Sequence, residues 1–290
     1  MSEQSGTASS RPETVAIIGV GLIGGSIAAA VKTRSIARTV IGVGRTPARL
    51  EPAVSRGWLD RVTTDVSAAA READLVIFCT PVNRIAAGVR EAAALCRPGT
   101  LITDAGSVKG SICEELSDGL PHGVEFIGSH PLAGSEKQGC EFADSNLLEG
   151  RVCVITPMES STGPARDRLK QFWTRLGATV RELSPAAHDR ALAETSHLPH
   201  VIAATLAATL SIENRPFAAT GFRDTTRIAS GDPDLWTAIL LANADEVLRS
   251  LQKNEQITER FRTALESSDA ESLKTLLNAA KSNRDALNTS

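Results

Sequence analysis

Residues 128–137, Gly128-Ser129-His130-Pro131-Leu132-Ala133-Gly134-Ser135-Glu136-Lys137, gather an imidazole, two hydroxyls, a carboxylate and an ammonium between glycines that let the backbone turn sharply. An imidazole with an ordinary pKa of about 6.5 can take a hydroxyl proton at neutral pH, a contribution typically worth about 10²–10⁴-fold in rate. About a hundred residues upstream, Gly19-Val20-Gly21-Leu22-Ile23-Gly24 fits the G-x-G-x-x-G fingerprint of a dinucleotide site. Its first glycine permits the tight turn, the second lets a pyrophosphate approach, and the third lets helix and strand pack closely. Leu22 and Ile23 open the helix whose N-terminal N–H groups would face the phosphates. A cofactor site followed by a proton-accepting histidine is what the oxidation of an alcohol requires.

Three further clusters carry chemical groups. In Asp104-Ala105-Gly106-Ser107-Val108-Lys109-Gly110 the small residues allow close approach. Ser107 sits where a hydroxyl could reach both nicotinamide and substrate, a role that can coexist with capping a helix. Lys109 reads as a surface or phosphate-side charge. Thr195-Ser196-His197-Leu198-Pro199-His200 sets two imidazoles three residues apart on one helix face. No third ligand shares that spacing, so a substrate contact is expected of His197 or His200, and no metal. His122 and His188 read as surface residues. In Gly221-Phe222-Arg223-Asp224-Thr225-Thr226-Arg227-Ile228-Ala229, Arg227 can clamp a carboxylate with two parallel bonds. Asp224 can orient that guanidinium or pair with Glu136, Arg223 suits a surface bridge, and Trp236 reads as a core residue between helices.

The cofactor's identity turns on the residues about twenty positions past the fingerprint. There the chain reads Val43-Gly44-Arg45-Thr46, with no carboxylate to repel a 2′-phosphate. Arg45 can pair with that phosphate and Thr46 can donate to it, which favours NADP over NAD. Thr80 and Pro81, just past a strand, are expected to face the cofactor.

The elements that must position these groups are legible as alternation. Strand signals at 14–18, 39–43, 74–79 and 100–104 interleave with helical stretches, and the continuous apolar run at 74–79 marks a strand buried on both faces. Further strands are expected near 124–128, 151–156 and 178–183, with a helix at 164–176. His130 then falls in a turn after the strand at 124–128. Such alternation predicts an α/β fold, a Rossmann-type doubly wound parallel sheet over residues 13–184. After Pro185 the strand signal stops and no glycine follows Gly231. Residues 185–290 are expected to form an all-α substrate and dimerisation domain, with residues 1–12 a disordered tail.

Composition narrows the partners. The chain of 290 residues has a formal charge of −3, 42% hydrophobic and 3% aromatic residues. Neither a polybasic face nor a set of stacking platforms is available for nucleic acid. No run of about 18 apolar residues suggests a membrane span. Five cysteines without a CxxC pair suit reduced thiols and a cytoplasmic location. The expected assembly is a homodimer through the helical domain, acting on a small molecule.

Taken in order, the motifs Asp104–Lys109, Gly128–Lys137, Ser196–His200 and Gly221–Ala229, behind the nucleotide fingerprint, closely resemble the prephenate/arogenate dehydrogenase family of tyrosine biosynthesis over residues 13–286. The resemblance implies that His130 accepts the proton of the substrate's ring hydroxyl and that Ser107 holds that hydroxyl and the nicotinamide. It makes Arg227 a carboxylate ligand, sets Glu136 and Asp224 in an ionic gate near it, counts Ser135 among the substrate-binding residues, and gives His197 or His200 a contact with the substrate side chain. The reaction implied is NAD(P)-dependent oxidative decarboxylation of prephenate, with arogenate as the alternative. Two rivals are weighed against it. A β-hydroxy-acid dehydrogenase would use a helical-domain lysine, but none occurs between Lys170 and Lys253. A non-catalytic nucleotide-sensing dimer would not need His130, Ser107 and Arg227 together.

Overall fold

The computed structural model describes residues 12–134, 137 and 139–287. The expected tail, Ser135 and Glu136 therefore lie outside the described residues. Six parallel strands, β1 (Thr14–Ile18), β2 (Thr39–Val43), β3 (Arg61–Thr63), β4 (Leu75–Phe78), β5 (Leu101–Asp104) and β6 (Glu125–Phe126), form one sheet in the order β3-β2-β1-β4-β5-β6. This is the doubly wound α/β arrangement, and the order reverses between β1 and β4, where such sheets open a ligand crevice. Side chains alternate across the sheet. Val15 and Ile17 enter one apolar core with Leu75 and Ile77, while Ala16 and Ile18 enter the other with Val76 and Phe78. Burial on both faces explains why these strands read as unbroken apolar runs.

Helices cover both faces: α1 (Leu22–Thr33), α2 (Glu51–Ser55), α3 (Val66–Glu72), α4 (Ile85–Ala93), α5 (Gly110–Glu115) and α6 (Gly163–Arg175). Their ends follow local chemistry. The Asp65 carboxylate accepts from Ala68 N–H at the start of α3, and the Thr162 hydroxyl accepts from Ala165 N–H at the start of α6. Beyond β6 the chain changes sheets. Three strands, β7 (Gly128–Pro131), β8 (Val152–Thr156) and β9 (Thr179–Glu182), make a second sheet in which β7 and β8 are antiparallel and β8 and β9 parallel. The apolar stretch expected as one strand at 124–128 is thus split at Ile127, whose side chain is buried in the core while its N–H still bonds Ile102 O.

From Pro185 onward the chain is helical, with α7 (Pro185–Leu192), a π-helical turn at Ala193–His197, α8 (Leu198–Ala208), α9 (Thr220–Thr226) and α10 (Pro233–Ala242). The chain separates into two compact units, Met1–Asn243 and Ala244–Ser290. The second is a helical hairpin of α11 (Ala244–Glu266) and α12 (Ala270–Ala286), in which Asp269 caps α12 by accepting from Ser272 N–H. Helical spacing expected as separate pieces at 233–253 and 254–267 is instead divided at Asn243 and then continuous through α11. No helix of the described residues is long and apolar enough to cross a membrane.

Candidate active site

The crevice at the reversal point is built from backbone. Gly19 leaves β1 with φ +95°, and a Cβ there would stand 2.7 Å from the carbonyl oxygen of Cys79, just past β4. Only glycine lets these two loops touch. A Cβ on Gly24 would lie 2.3 Å from Gly19 O, so the third glycine seats α1 against β1. Gly21 is different: nothing lies within 4 Å of its would-be Cβ, and it opens onto the crevice. No side chain caps α1 and no acidic residue occupies its first turn, which leaves its N–H groups and positive dipole end for an anion.

Gly19, Gly21, Arg45, Thr46, Thr80 and Pro81 share the walls of this crevice, which encloses about 1610 Å³. That exceeds the roughly 300–1,000 Å³ of ordinary small-molecule sites, as an extended ligand requires. The hydroxyl of Thr80 is buried without a hydrogen-bond partner, a polar atom suited to a bound group. Together the open cradle at Gly21, the uncapped helix and this hydroxyl fit a dinucleotide. Leu22 and Ile23, by contrast, begin α1 half-buried, and Ile23 packs on the core.

His130 lies within strand β7, not in the turn expected for it, and its Cα pairs with that of Val154. An antiparallel ladder therefore fixes its backbone. The strand is tied to the carboxyl end of β5, where Ser129 N–H donates to Asp104 Oδ1 at 3.0 Å. Ser129 Oγ is 2.7 Å from Thr103 Oγ1 and accepts from Trp173 Nε1 at 3.0 Å.

Behind the imidazole stands a residue that the sequence had suggested was on the surface. His188 is fully buried, and its Nε2 lies 2.9 Å from His130 Nδ1. Its Nδ1 is 2.7 Å from Asp189 Oδ1. Asp189 also accepts from the N–H groups of Lys109 and Gly110 at 2.8 and 2.7 Å, which locks α7 to the start of α5. Lys109 is a second correction. Its side chain is 0% exposed and forms an ion pair with the equally buried Asp104. The loop holding Ser107 closes over that pair, with Gly106 N–H donating to Asp104 Oδ2 at 2.8 Å. Helix α5 begins at Gly110, and its N-cap position is Lys109, so Ser107 does not cap it.

Burial, reinforced by the Lys109 ammonium, holds the His130 pKa well below the ordinary histidine value. The ring is neutral at physiological pH, the state a proton acceptor needs.

His197 and His200 are brought together as expected, although a π-helical turn ending at His197 leads into the helix that holds His200. Burial lowers both pKa values, that of His197 to about 4. His197 Nδ1 lies 3.1 Å from Asn243 Nδ2, which also donates to Asp189 O at 2.8 Å. His200 stacks on Trp236 with ring centroids 3.6 Å apart, so this tryptophan is a platform for an imidazole as well as a packing residue. His197 Nε2 and His200 Nδ1 are buried with no hydrogen-bond partner. Unpaired polar atoms of this kind are costly unless a ligand meets them.

Arg227 and Asp224 are exposed, Asp224 within α9 and Arg227 on the 3-10 turn that follows it. That turn packs on α8, and Gly231 at its end lies so close to Trp236 and His200 that a Cβ would come within 2.5 and 3.2 Å of them. Arg223 donates to Ala218 O at 3.0 Å, a surface bridge as expected.

Sequence reasoning missed Asp104, His188, Asp189 and Asn243. For Asp104 and Lys109 the available signal was opposite charges flanking a glycine loop. For His188 and Asp189 it was two polar residues among alanines, one turn past the Ser184 helix cap.

The crevice, the neutral imidazole and the buried polar shell define a dinucleotide-dependent oxidoreductase. Residues 27–182 match the family described as prephenate dehydrogenase, nucleotide-binding domain, and residues 184–279 match prephenate dehydrogenase, dimerization domain. The chain belongs to the prephenate dehydrogenase family. It is 36% identical over 282 residues to a prephenate dehydrogenase of Bacillus subtilis, covering 95% of this chain and 76% of that one. Among solved structures it superposes with a TM-score of 0.85 on prephenate dehydrogenase from A. aeolicus in complex with hydroxyphenyl propionate and NAD+, at 29% identity over 94% of this chain and 98% of that one. Synechocystis arogenate dehydrogenase gives 0.80 at 32% identity, covering 94% and 99%.

Proposed function

We propose that this enzyme oxidatively decarboxylates prephenate to 4-hydroxyphenylpyruvate with reduction of NAD(P), His130 being the proton acceptor. The observation that carries the reading is a neutral imidazole, fixed on β7 beside β5, in a fold that opens a dinucleotide crevice at its strand-order reversal. When bound, the dinucleotide supplies the hydride acceptor. His130 takes the proton of the C4 hydroxyl as the C4 hydride departs. The ring carboxylate then leaves as CO₂, and its bonding electrons complete the aromatic ring of the phenol.

Ser107 holds the hydroxyl near the nicotinamide. His197 and His200 meet the substrate with their unpaired buried nitrogens. Arg227 binds a carboxylate, Ser135 contacts the substrate, and Glu136 and Asp224 form an ionic gate near Arg227. Dehydrogenases of both prephenate and arogenate are among the relatives. Burial keeps His197 from being the imidazolium that would suit a keto acid. Its Nδ1, however, faces the donor Asn243 Nδ2, so its unpaired Nε2 carries a hydrogen that the keto oxygen accepts and an ammonium does not. Arg45 and Thr46 on the crevice wall favour NADP, since they offer a 2′-phosphate a cation and a hydroxyl. The dimerization-domain match over residues 184–279 supports a homodimer.

Steady-state kinetics on prephenate and arogenate, each with NAD and NADP, tests this reading. Turnover with prephenate and a higher kcat/KM with NADP are expected. In the His130→Asn variant kcat should fall by about 10²–10⁴-fold. Absence of turnover in the parent enzyme would overturn the activity, and an undiminished kcat in the variant would overturn the role of His130.

A further inference from the structure

Two side chains in series stand behind the proposed base, and their chemistry has a direction. Asp189 accepts three hydrogen bonds, from the N–H groups of Lys109 and Gly110 and from the His188 ring. A carboxylate only accepts, so the His188 nitrogen facing it, Nδ1, must carry the hydrogen. If that is the one hydrogen on the ring, His188 presents a lone pair at Nε2, the atom 2.9 Å from His130 Nδ1. One nitrogen of that pair must donate, and only His130 Nδ1 is left to do so. The lone pair of His130 is thereby placed on Nε2.

We propose that His188 and Asp189 are positioning residues that set the tautomer of His130, making Nε2 the proton-accepting atom, and hold its ring in one orientation. The inference rests on the reading of His130 as base. Neither residue meets the substrate. The opposite tautomer of His188 would set the lone pair of Nδ1 against a carboxylate oxygen. Once His130 is protonated, its bond to His188 becomes charge-assisted and stronger, which favours the state formed during turnover. The origin of the direction is structural. Asp189 is pinned by two backbone N–H groups and cannot swing away, and the T-shaped ring contact, with centroids 5.1 Å apart, leaves His188 little freedom to flip.

Nitrogen-15 NMR of the histidine-labelled wild-type enzyme reads the tautomers directly, with His130→Asn and His188→Gln used for assignment. Protonated Nδ1 and unprotonated Nε2 are expected for both rings at neutral pH. A hydrogen on His130 Nε2 would overturn the proposal, whether or not the enzyme turns over prephenate. Kinetics provide the second arm. The His188→Leu variant should lose about 10²–10⁴-fold in kcat, the range spanned by proton-transfer help and tautomer control elsewhere. KM for both substrates should barely change. His188→Gln can offer an amide oxygen where Nε2 stood, and should recover most of that loss. Equal kcat losses in the two variants, or a loss carried by KM, would assign His188 to packing alone. Wild-type turnover, measured in parallel, reports separately on the proposed activity.

Discussion

The nucleotide crevice and the polar cluster around His130 sit at the ends of neighbouring strands, yet they are made of opposite materials. At its phosphate turn the crevice is backbone: Gly19, Gly21 and Gly24 act by having no side chain, and the binding groups there are N–H donors and an open space. The cluster is almost all side chain. Asp104 and Lys109 come from one loop, His130 from a strand of the second sheet, and His188 and Asp189 from a helix some 58 residues further on. A backbone site is encoded locally and tolerates change around it. A side-chain cluster depends on several distant segments arriving together, so it is rigid and easily broken.

The largest effect should come from the cluster. Lys109→Met leaves Asp104 buried without its partner, and removal of one member of a buried ion pair typically costs about 3–5 kcal/mol. Chemical denaturation should show that loss, and a change under about 1 kcal/mol would mean that the pair is not a structural anchor.

The crevice should split into two behaviours. Gly24→Ala drives a Cβ into the Gly19 carbonyl and should cost roughly 1–3 kcal/mol as overpacking. Gly21→Ala meets no protein atom, so the melting temperature should hold while KM for the dinucleotide rises roughly tenfold, about 1.4 kcal/mol of binding. Equal destabilisation by both would erase the distinction between the packing glycine and the ligand glycine.

A graded effect, spread over the buried imidazoles, is the pH dependence of stability. Burial lowers the folded-state pKa values of His130, His197 and His200, with Asp189 partly opposing the shift at His197, whose value falls to about 4. The unfolded chain takes up these protons near pH 6.5, and the folded chain resists. This contribution is therefore complete above about pH 6.5 and is lost as pH falls; for His197 the loss runs toward pH 4 at about 1 kcal/mol per pH unit. Denaturation midpoints measured from pH 7 to 4.5 should decline, and His197→Gln should flatten the decline. A midpoint that rises on acidification would contradict buried neutral imidazoles.

Much of this is legible in the sequence. The fingerprint at Gly19–Gly24 was readable because a phosphate turn is a local backbone problem with one steric solution. The strands at 14–18 and 39–43 emerged at the expected residues, since burial on both faces imposes an apolar run. His188 and Lys109 were misjudged for one reason. A polar side chain looks solvated in sequence unless its partner is known, and these partners lie 58 residues away at His130 and five away across a glycine loop at Asp104. The position of His130 was missed by a turn because the chain changes sheets at Ile127, and no residue type marks that change.

By itself, the sequence determined the fold class, the dinucleotide fingerprint and the family, all of which rest on local patterns and the order of motifs. The tertiary structure alone decided which polar groups are buried, which nitrogen faces which, and therefore that His130 is neutral. Burial and hydrogen-bond direction depend on residues that only folding brings within 3 Å of one another.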